Sequence, residues 1–546
     1  MRGTLAVLTL AYTSLVHGEE LADGVMASHY PSCDALQNLN LHRARIVDAK
    51  SVSDDRFGIE EPGSFDSSSA EELPEFCRVI GSASPVEGSI IGFEAWLPTD
   101  GWNGKLLMLG NGGYSSSIPY MQMAEYLRRG YATAATDTGH IGDDPVFARD
   151  NPVSIVDWGD RAVHASRLHA GTVIASFYGE TPQYSYFAGC STGGHQALMA
   201  AQRYPEDFDG IIAGAPGHNR THLNAGFLWQ FLRNHTHAGQ EIVPADKLAM
   251  INAAVLAQCR DNNGTRSGGL PADPYLDDPL TCDFDPQKLA CGADREADCL
   301  SSEQIEALDA IYDGPRNPRT GKRIYFGQTP GSEAAGGPSA LPGWSFYWAD
   351  PRQRERPARL SFWQYWAFDD PEWNWWDFDF DADMSIVDQR LAPVINAMDA
   401  DLSGFRRAGG KLLHFHGLND PVVPATDSIS YFERANARGN GVGDFYRLFL
   451  APGVEHCRGG PGPYEFDLLT ALEDWVERGE APERIVATGR RVQSPDGAGE
   501  FTRPLCPYPK YAEFSGAGDS DRAETFFCGA DRRRPSVPEI GSTYLR

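Results

Sequence analysis

The chain has 546 residues, 41% hydrophobic and 22% charged, an ordinary globular composition with length enough for two domains. Its 75 acidic against 47 basic side chains leave a formal charge of −28. That excess repels nucleic acid and anionic membranes, so neither is expected as a partner.

Arg2, a mostly apolar run over residues 5–15 and the small residues near Gly18 predict a cleaved export signal over residues 1–18. The run is shorter than the roughly 20 residues a membrane span needs, and no later stretch is long enough either. Secretion, extracellular or periplasmic, is the expectation. Ten cysteines agree with an oxidising destination: Cys33, Cys77, Cys190, Cys259, Cys282, Cys291, Cys299, Cys457, Cys506 and Cys528. They lack the Cys-x-x-Cys and Cys/His spacings of a zinc site. Asn219, Asn234 and Asn263 begin glycosylation sequons, which matter only in a eukaryotic source.

Strand-like runs cover residues 90–97, 105–109 and 131–136, and residues 158–177 have helical periodicity. Residues 184–188 predict a strand, 192–204 a helix and 210–214 the next strand. The rhythm resumes with strands over 411–416 and 446–450 and an amphipathic helix over 464–478. Such alternation predicts an α/β fold, a mostly parallel central sheet with helices on both faces. Residues 19–216 and 392–546 form that domain. Residues 217–391, where the rhythm breaks, form an inserted one. The insert is rich in rings, among them Trp344, Tyr347, Trp348, Trp363, Tyr365, Trp366 and Trp373. They either pack a loop-rich subdomain or roof a pocket.

Gly189-Cys-Ser-Thr-Gly193 fits the Gly-x-Ser-x-Gly turn, in which a strand passes sharply into a helix and exposes a serine hydroxyl. Serine chemistry also needs a base, an orienting carboxylate and donors for an oxyanion. On a sheet of this kind they arrive in the order serine, acid, histidine. Ser191, Asp420 and His456 satisfy it, and His456 is the sole histidine of 14 beyond Asp420. Asp420 sits in a strand-end loop, and Asn419 beside it cannot serve as an anion. His414 and His416, two apart on a strand, face one side and are read as structural. The Thr192 amide is the expected first oxyanion donor, and Gly112 or Gly113 supplies the second from a glycine-rich loop after a strand. Cys190 precedes the serine and Cys457 follows the histidine. A bond between them, with Cα atoms about 5.5 Å apart, would hold Ser191 and His456 together.

The Gly-Cys-Ser-Thr-Gly-Gly turn, late Asp and His-Cys pair resemble the tannase and feruloyl esterase family of secreted α/β-hydrolases. Gly110-Asn-Gly-Gly113, Ala135-Thr-Asp-Thr-Gly-His140, Arg161-Ala-Val-His164, Gly214-Ala-Pro216 and Phe378-Asp-Phe-Asp381 carry the likeness further. The resemblance implies Ser191 as nucleophile, His456 as base, Asp420 as orienter and a Cys190–Cys457 bond. It also implies the pairs Cys33–Cys77, Cys259–Cys282, Cys291–Cys299 and Cys506–Cys528, and a lid built from the insert. The implied activity is hydrolysis of hydroxycinnamic or hydroxybenzoic (gallic) esters, with Trp363, Trp366 and Phe368 as candidate walls for a planar acyl group. A variant activity on terephthalate half-esters would need a carboxylate-binding arginine, Arg352 or Arg359. A hydrolase-fold binding protein that has lost catalysis is the remaining reading, and the complete triad weighs against it.

The chemistry is expected to need no cofactor. Family members often hold a structural calcium in a Cys-Asp-x-x-Asp loop, but here Arg260 and Asn263 stand where the two acids belong. Asp261, Asn263 and Asp273 could still form a shifted site, although the Arg260 cation opposes one.

Overall fold

The computed structural model describes residues 32–53, 73–260, 269–270, 273–292, 298–334, 336–337, 341–439, 441–491 and 499–529. The expected export signal, residues 1–18, lies outside the described residues.

Among the described residues the main sheet contains β1 (Ala44–Val52), β2 (Phe76–Ala83), β3 (Ile91–Pro98), β4 (Lys105–Leu109), β5 (Ala132–Thr136), β6 (Tyr184–Cys190), β7 (Gly210–Gly214), β8 (Lys411–Gly417) and β9 (Tyr446–Ala451). Their spatial order is β1-β2-β3-β5-β4-β6-β7-β8-β9. From β5 to β9 every pairing is parallel, and β1, β2 and β3 join antiparallel at one end. The central strands are short apolar runs buried along nearly their whole length, as a sheet covered on both faces requires. This is an α/β-hydrolase type of sheet.

The helices are α1 (Tyr120–Arg128), α2 (Val153–Val156), α3 (Ala162–Tyr178), α4 (Thr192–Arg203), α5 (Arg220–Asn234), α6 (Leu248–Arg260), α7 (Ser302–Asp313), α8 (Ala382–Ile395), α9 (Ser403–Arg407), α10 (Ala425–Ala437) and α11 (Leu468–Arg478). Val173 and Ile174 of α3, Leu198 of α4 and Ile429 of α10 pack in a core on one face of the sheet. Met123 and Leu127 of α1 and Leu472 and Trp475 of α11 pack in a core on the other.

The chain leaves the sheet after β7 and returns at β8, and α5 to α9 lie in that excursion. The boundary expected at residues 391/392 falls inside α8. This helix is tied to α5 through Thr221 Oγ1, which donates to Asp388 Oδ1 at 2.8 Å, and through His222, bonded to the same carboxylate. The hairpin of β10 (Ile485–Arg491) and β11 (Gly499–Leu505) follows α11, and β12 (Tyr511–Phe514) pairs with β13 (Phe526–Gly529). Between the pairs the chain lies along β9, where Tyr508 N–H donates to Leu448 O at 2.7 Å and Pro507 bridges to Phe449. An outer strand otherwise presents unpaired backbone groups, and this strap covers them.

All ten cysteines are paired, in the five pairs that the family resemblance implies. Asn219 and Asn234 are buried, and Asn234 is bonded at both ends to Val243, so neither offers an open glycan acceptor. Asn263 lies outside the described residues. No helix among the described residues is long and apolar enough to cross a membrane.

Candidate active site

Ser191 occupies the corner between β6 and α4 with φ 62° and ψ −116°, a conformation costly for any side chain. The corner is tight. A Cβ on Gly189 would stand 2.6 Å from the Gly193 backbone, so glycine is needed where strand and helix cross. Ser191 N–H donates to Gly214 O at 2.9 Å, which ties the corner to β7.

Asp420 lies just past β8 and is almost wholly buried. Its Oδ1 accepts the N–H groups of Val422 and Val423 at 2.8 and 2.9 Å, and its Oδ2 lies 2.6 Å from His456 Nδ1. Burial alone would push this carboxyl up. The His456 charge and the hydrogen bonds from His416 and His456 outweigh that and hold it well below the usual carboxylate range. A carboxylate at Nδ1 fixes the proton there and leaves Nε2 of neutral His456 as the lone-pair nitrogen.

The Cys190–Cys457 disulfide sets the Cα atoms 5.9 Å apart across 267 positions of sequence, which brings the Ser191 corner and the His456 loop side by side. Among the described residues Ser191 Oγ forms no hydrogen bond to His456; the imidazole is held through Nδ1 alone. Both cysteines line a cavity of ≈ 540 Å³ that also includes Phe415, Tyr464, Phe466 and Asp467.

The glycine-rich loop is fastened to the serine corner at three points. Asn111 N–H donates to Gln196 Oε1 at 3.0 Å, Gln196 returns a bond to Asn111 Oδ1 at 3.1 Å, and Thr192 Oγ1 donates to Gly113 O at 2.6 Å. Buried Arg220 donates to Thr192 Oγ1 at 2.9 Å. The loop carrying Gly112 and Gly113 is thereby held beside the first turn of α4, where the Thr192 amide has no intrahelical acceptor.

Arg359 stands over this loop. Its Nη2 would lie 3.1 Å from a Cβ on Gly113, Nη1 donates to Asp143 O at 2.8 Å, and Nη2 donates to Tyr347 OH at 3.2 Å. The guanidinium lies over the rings of Tyr114 and Tyr347, and Tyr347 stacks on Phe227 at 4.5 Å. Arg352 is exposed and makes no comparable contact.

Two expectations need correction. Trp363 and Trp366, 1% and 0% exposed, are not pocket walls. Trp363 is enclosed by Phe362, Phe368, Trp373 and Phe378. Trp366 packs against Phe147, Trp158 and the edge of Tyr114, and its indole N–H is spent on Pro145 O. Phe368 is half-buried in the same cluster. Tyr114, Tyr347 and Phe227 are the rings near the glycine loop.

The Asp273 carboxylate is already paired with cations. Arg503 Nη2 donates to both its oxygens at 3.0 Å, Arg491 Nη2 donates to Oδ1 at 3.1 Å, and Arg260 donates to its backbone carbonyl. Three guanidinium groups oppose a divalent cation, so this donor set does not fit one. Asp261 and Asn263 lie outside the described residues.

His416 does more than fill β8, since its Nε2 lies 3.2 Å from Asp420 Oδ2. Glu455, passed over in the sequence, accepts the N–H groups of Gly336 and Leu341 from the insert at 3.2 and 2.8 Å. Only the His-x-His spacing on β8 pointed toward any of these partners.

Residues 77–529 match the family described as tannase and feruloyl esterase. The chain belongs to that family. It is 38% identical over 548 residues to an uncharacterized esterase of Xanthomonas campestris pv. campestris, covering 92% of each chain. It is 32% identical over 536 residues to the mono(2-hydroxyethyl) terephthalate hydrolase of Piscinibacter sakaiensis, covering 85% of this chain and 86% of that one. The crystal structure of feruloyl esterase B from Aspergillus oryzae superposes with a TM-score of 0.80 at 25% identity, over 91% of this chain and 99% of that one. The protein is a carboxylic ester hydrolase.

Proposed function

We propose that this esterase is a secreted enzyme that cleaves esters of hydroxycinnamic or hydroxybenzoic acids through an acyl-enzyme on Ser191. One observation carries the reading. The Cys190–Cys457 bond joins the strained serine corner to the loop of His456, whose other neighbour is the buried Asp420 carboxylate.

In this mechanism His456 Nε2 takes the Ser191 hydroxyl proton as Oγ attacks the ester carbonyl carbon. The oxyanion is received by Thr192 N–H and by the N–H of Gly112 or Gly113. When the tetrahedral intermediate collapses, the alcohol C–O bond breaks and the imidazolium returns its proton to the leaving oxygen. Water, deprotonated by His456, then attacks the acyl carbon, and Ser191 leaves reprotonated. The chain's own residues supply every step, without a cofactor.

A planar acyl group is favoured by half-buried Tyr347, which stacks on buried Phe227 beside the glycine loop. Arg359 favours a second reading, hydrolysis of terephthalate half-esters, because it sets a cation over that loop. It is already shared with Asp143 and Tyr347, so a carboxylate would have to compete for it.

Purified protein and Ser191→Ala should be compared on methyl ferulate, methyl gallate, chlorogenate, monoethyl terephthalate and nitrophenyl acetate. The expected result is preference for an aromatic acid ester and a loss on the order of 10³-fold or more in the variant. Turnover of nitrophenyl acetate alone would refute the aromatic-acid assignment. Undiminished turnover by Ser191→Ala would refute the mechanism.

A further inference from the structure

We infer that His416 is a positioning residue for ester hydrolysis, holding Asp420 at the end of a buried, one-way chain of hydrogen bonds that starts at Tyr446. The inference rests on the proposed role of Ser191, Asp420 and His456.

For a neutral His416 the partners set one pattern of protons. His416 Nε2 lies 2.8 Å from Val423 O, a carbonyl that can only accept, so Nε2 carries hydrogen. The same N–H faces Asp420 Oδ2. In the neutral ring Nδ1 must then accept, and the group 2.6 Å away is the Ser428 hydroxyl. That hydroxyl has one hydrogen, now spent. The 2.8 Å contact between Ser428 Oγ and His414 Nε2 therefore requires His414 to donate. His414 Nδ1 in turn accepts from Tyr446 OH at 2.8 Å. Burial, with His416 and His218 nearby, pushes the His414 imidazole well below its ordinary range, so it is neutral as this pattern requires. The sequence Tyr446, His414, Ser428, His416, Asp420 thus has every donor pointing toward the carboxylate. Aligned bonds of this kind polarise one another.

The consequence for Asp420 is a complete set of donors. Oδ1 is held by two backbone N–H groups, and Oδ2 is divided between His456 and His416. Removing the His416 donor would free Oδ2 to interact more strongly with His456, making the imidazole more basic and the carboxylate less well oriented. Other groups facing this cluster are Glu455 on the histidine loop, Asp427 on α10, His218 after β7 and Tyr325 from the insert. None of them supplies a direct bond to Asp420 that could replace His416.

The test uses the full chain with His416→Leu, His416→Gln, Ser428→Ala and Ser191→Ala, assayed on the best ester substrate across pH. His416→Leu should lose roughly ten- to hundredfold in kcat with KM nearly unchanged. Its acidic limb should move to higher pH, by on the order of half a unit. His416→Gln, whose amide N–H can reach Oδ2, should recover much of both, and Ser428→Ala should show a smaller shift in the same direction. A folded His416→Leu protein with wild-type kcat and an unmoved acidic limb would overturn the assignment, as would a loss of kcat with the limb in place. Should the leucine variant not fold, an unchanged pH profile in Ser428→Ala overturns it instead. Ser191→Ala separates the two layers: if it is inert while the His416 variants behave as wild type, only the His416 assignment falls.

Discussion

Glu455 is a carboxyl buried one residue before the proposed base. Burial pushes it up to about 7 from an ordinary 4.5, while bonds from Gly336 and Leu341 oppose the shift and Asp420 adds to it. The folded chain therefore holds a proton between those values that the unfolded chain has released. Its contribution to stability is complete below the ordinary value and is lost as pH rises through the raised one. Urea unfolding at pH 5 and pH 8 should show the wild type losing stability, with a flatter response in Glu455→Gln. Equal slopes would contradict this account. Residues acting through local motifs were the legible ones. Ser191 was marked by its turn, and Asp420 and His456 by chain order. His416 and Glu455 have partners brought together only by folding, and a lone histidine or acid in a string does not announce them. The tryptophans misled because a ring suited to a planar ligand is equally suited to packing against other rings.

The strands with continuous apolar runs were legible, with ends within two residues of those observed. Strands β1 and β2 were not, because β1 is a half-exposed outer strand whose apolar run is broken by Arg45, Asp48, Lys50 and Ser51. Boundaries inside the insert were also obscure, since α8 belongs by its contacts to the excursion and by its apolar pattern to either side. The disulfide linking the end of β6 to the loop after β9 is an element-scale joint. Both its cysteines are half-buried and open onto a cavity, whereas Cys77 and Cys259 are fully buried. Mild dithiothreitol should therefore reach this pair, together with the exposed Cys291, before the buried Cys33–Cys77 pair and abolish hydrolysis while circular dichroism stays native. Loss of activity only in step with unfolding would show that the joint is no more accessible than the others.

Across the whole molecule, the carboxylate of Asp273 is where the C-terminal hairpin grips the insert. It is buried between Arg503 of β11 and Arg491 of β10. Arg503→Met should cost roughly 3 kcal/mol in urea unfolding, because a buried charge loses the nitrogen that bonds both its oxygens, with Arg491 limiting the damage. Adding Asp273→Asn should restore part of that loss. A single variant as stable as wild type would mean that Arg491 alone suffices. The sequence could suggest that Arg260 disfavours a metal but not that distant β10 and β11 provide the replacement cations.

The strap beside β9 has a further implication. Proteolysis that stripped residues 506–508 away would spare the reacting side chains yet leave a bare rim of N–H and carbonyl groups. Trimmed copies would dock rim to rim, and clouding of the solution would precede any decline in turnover.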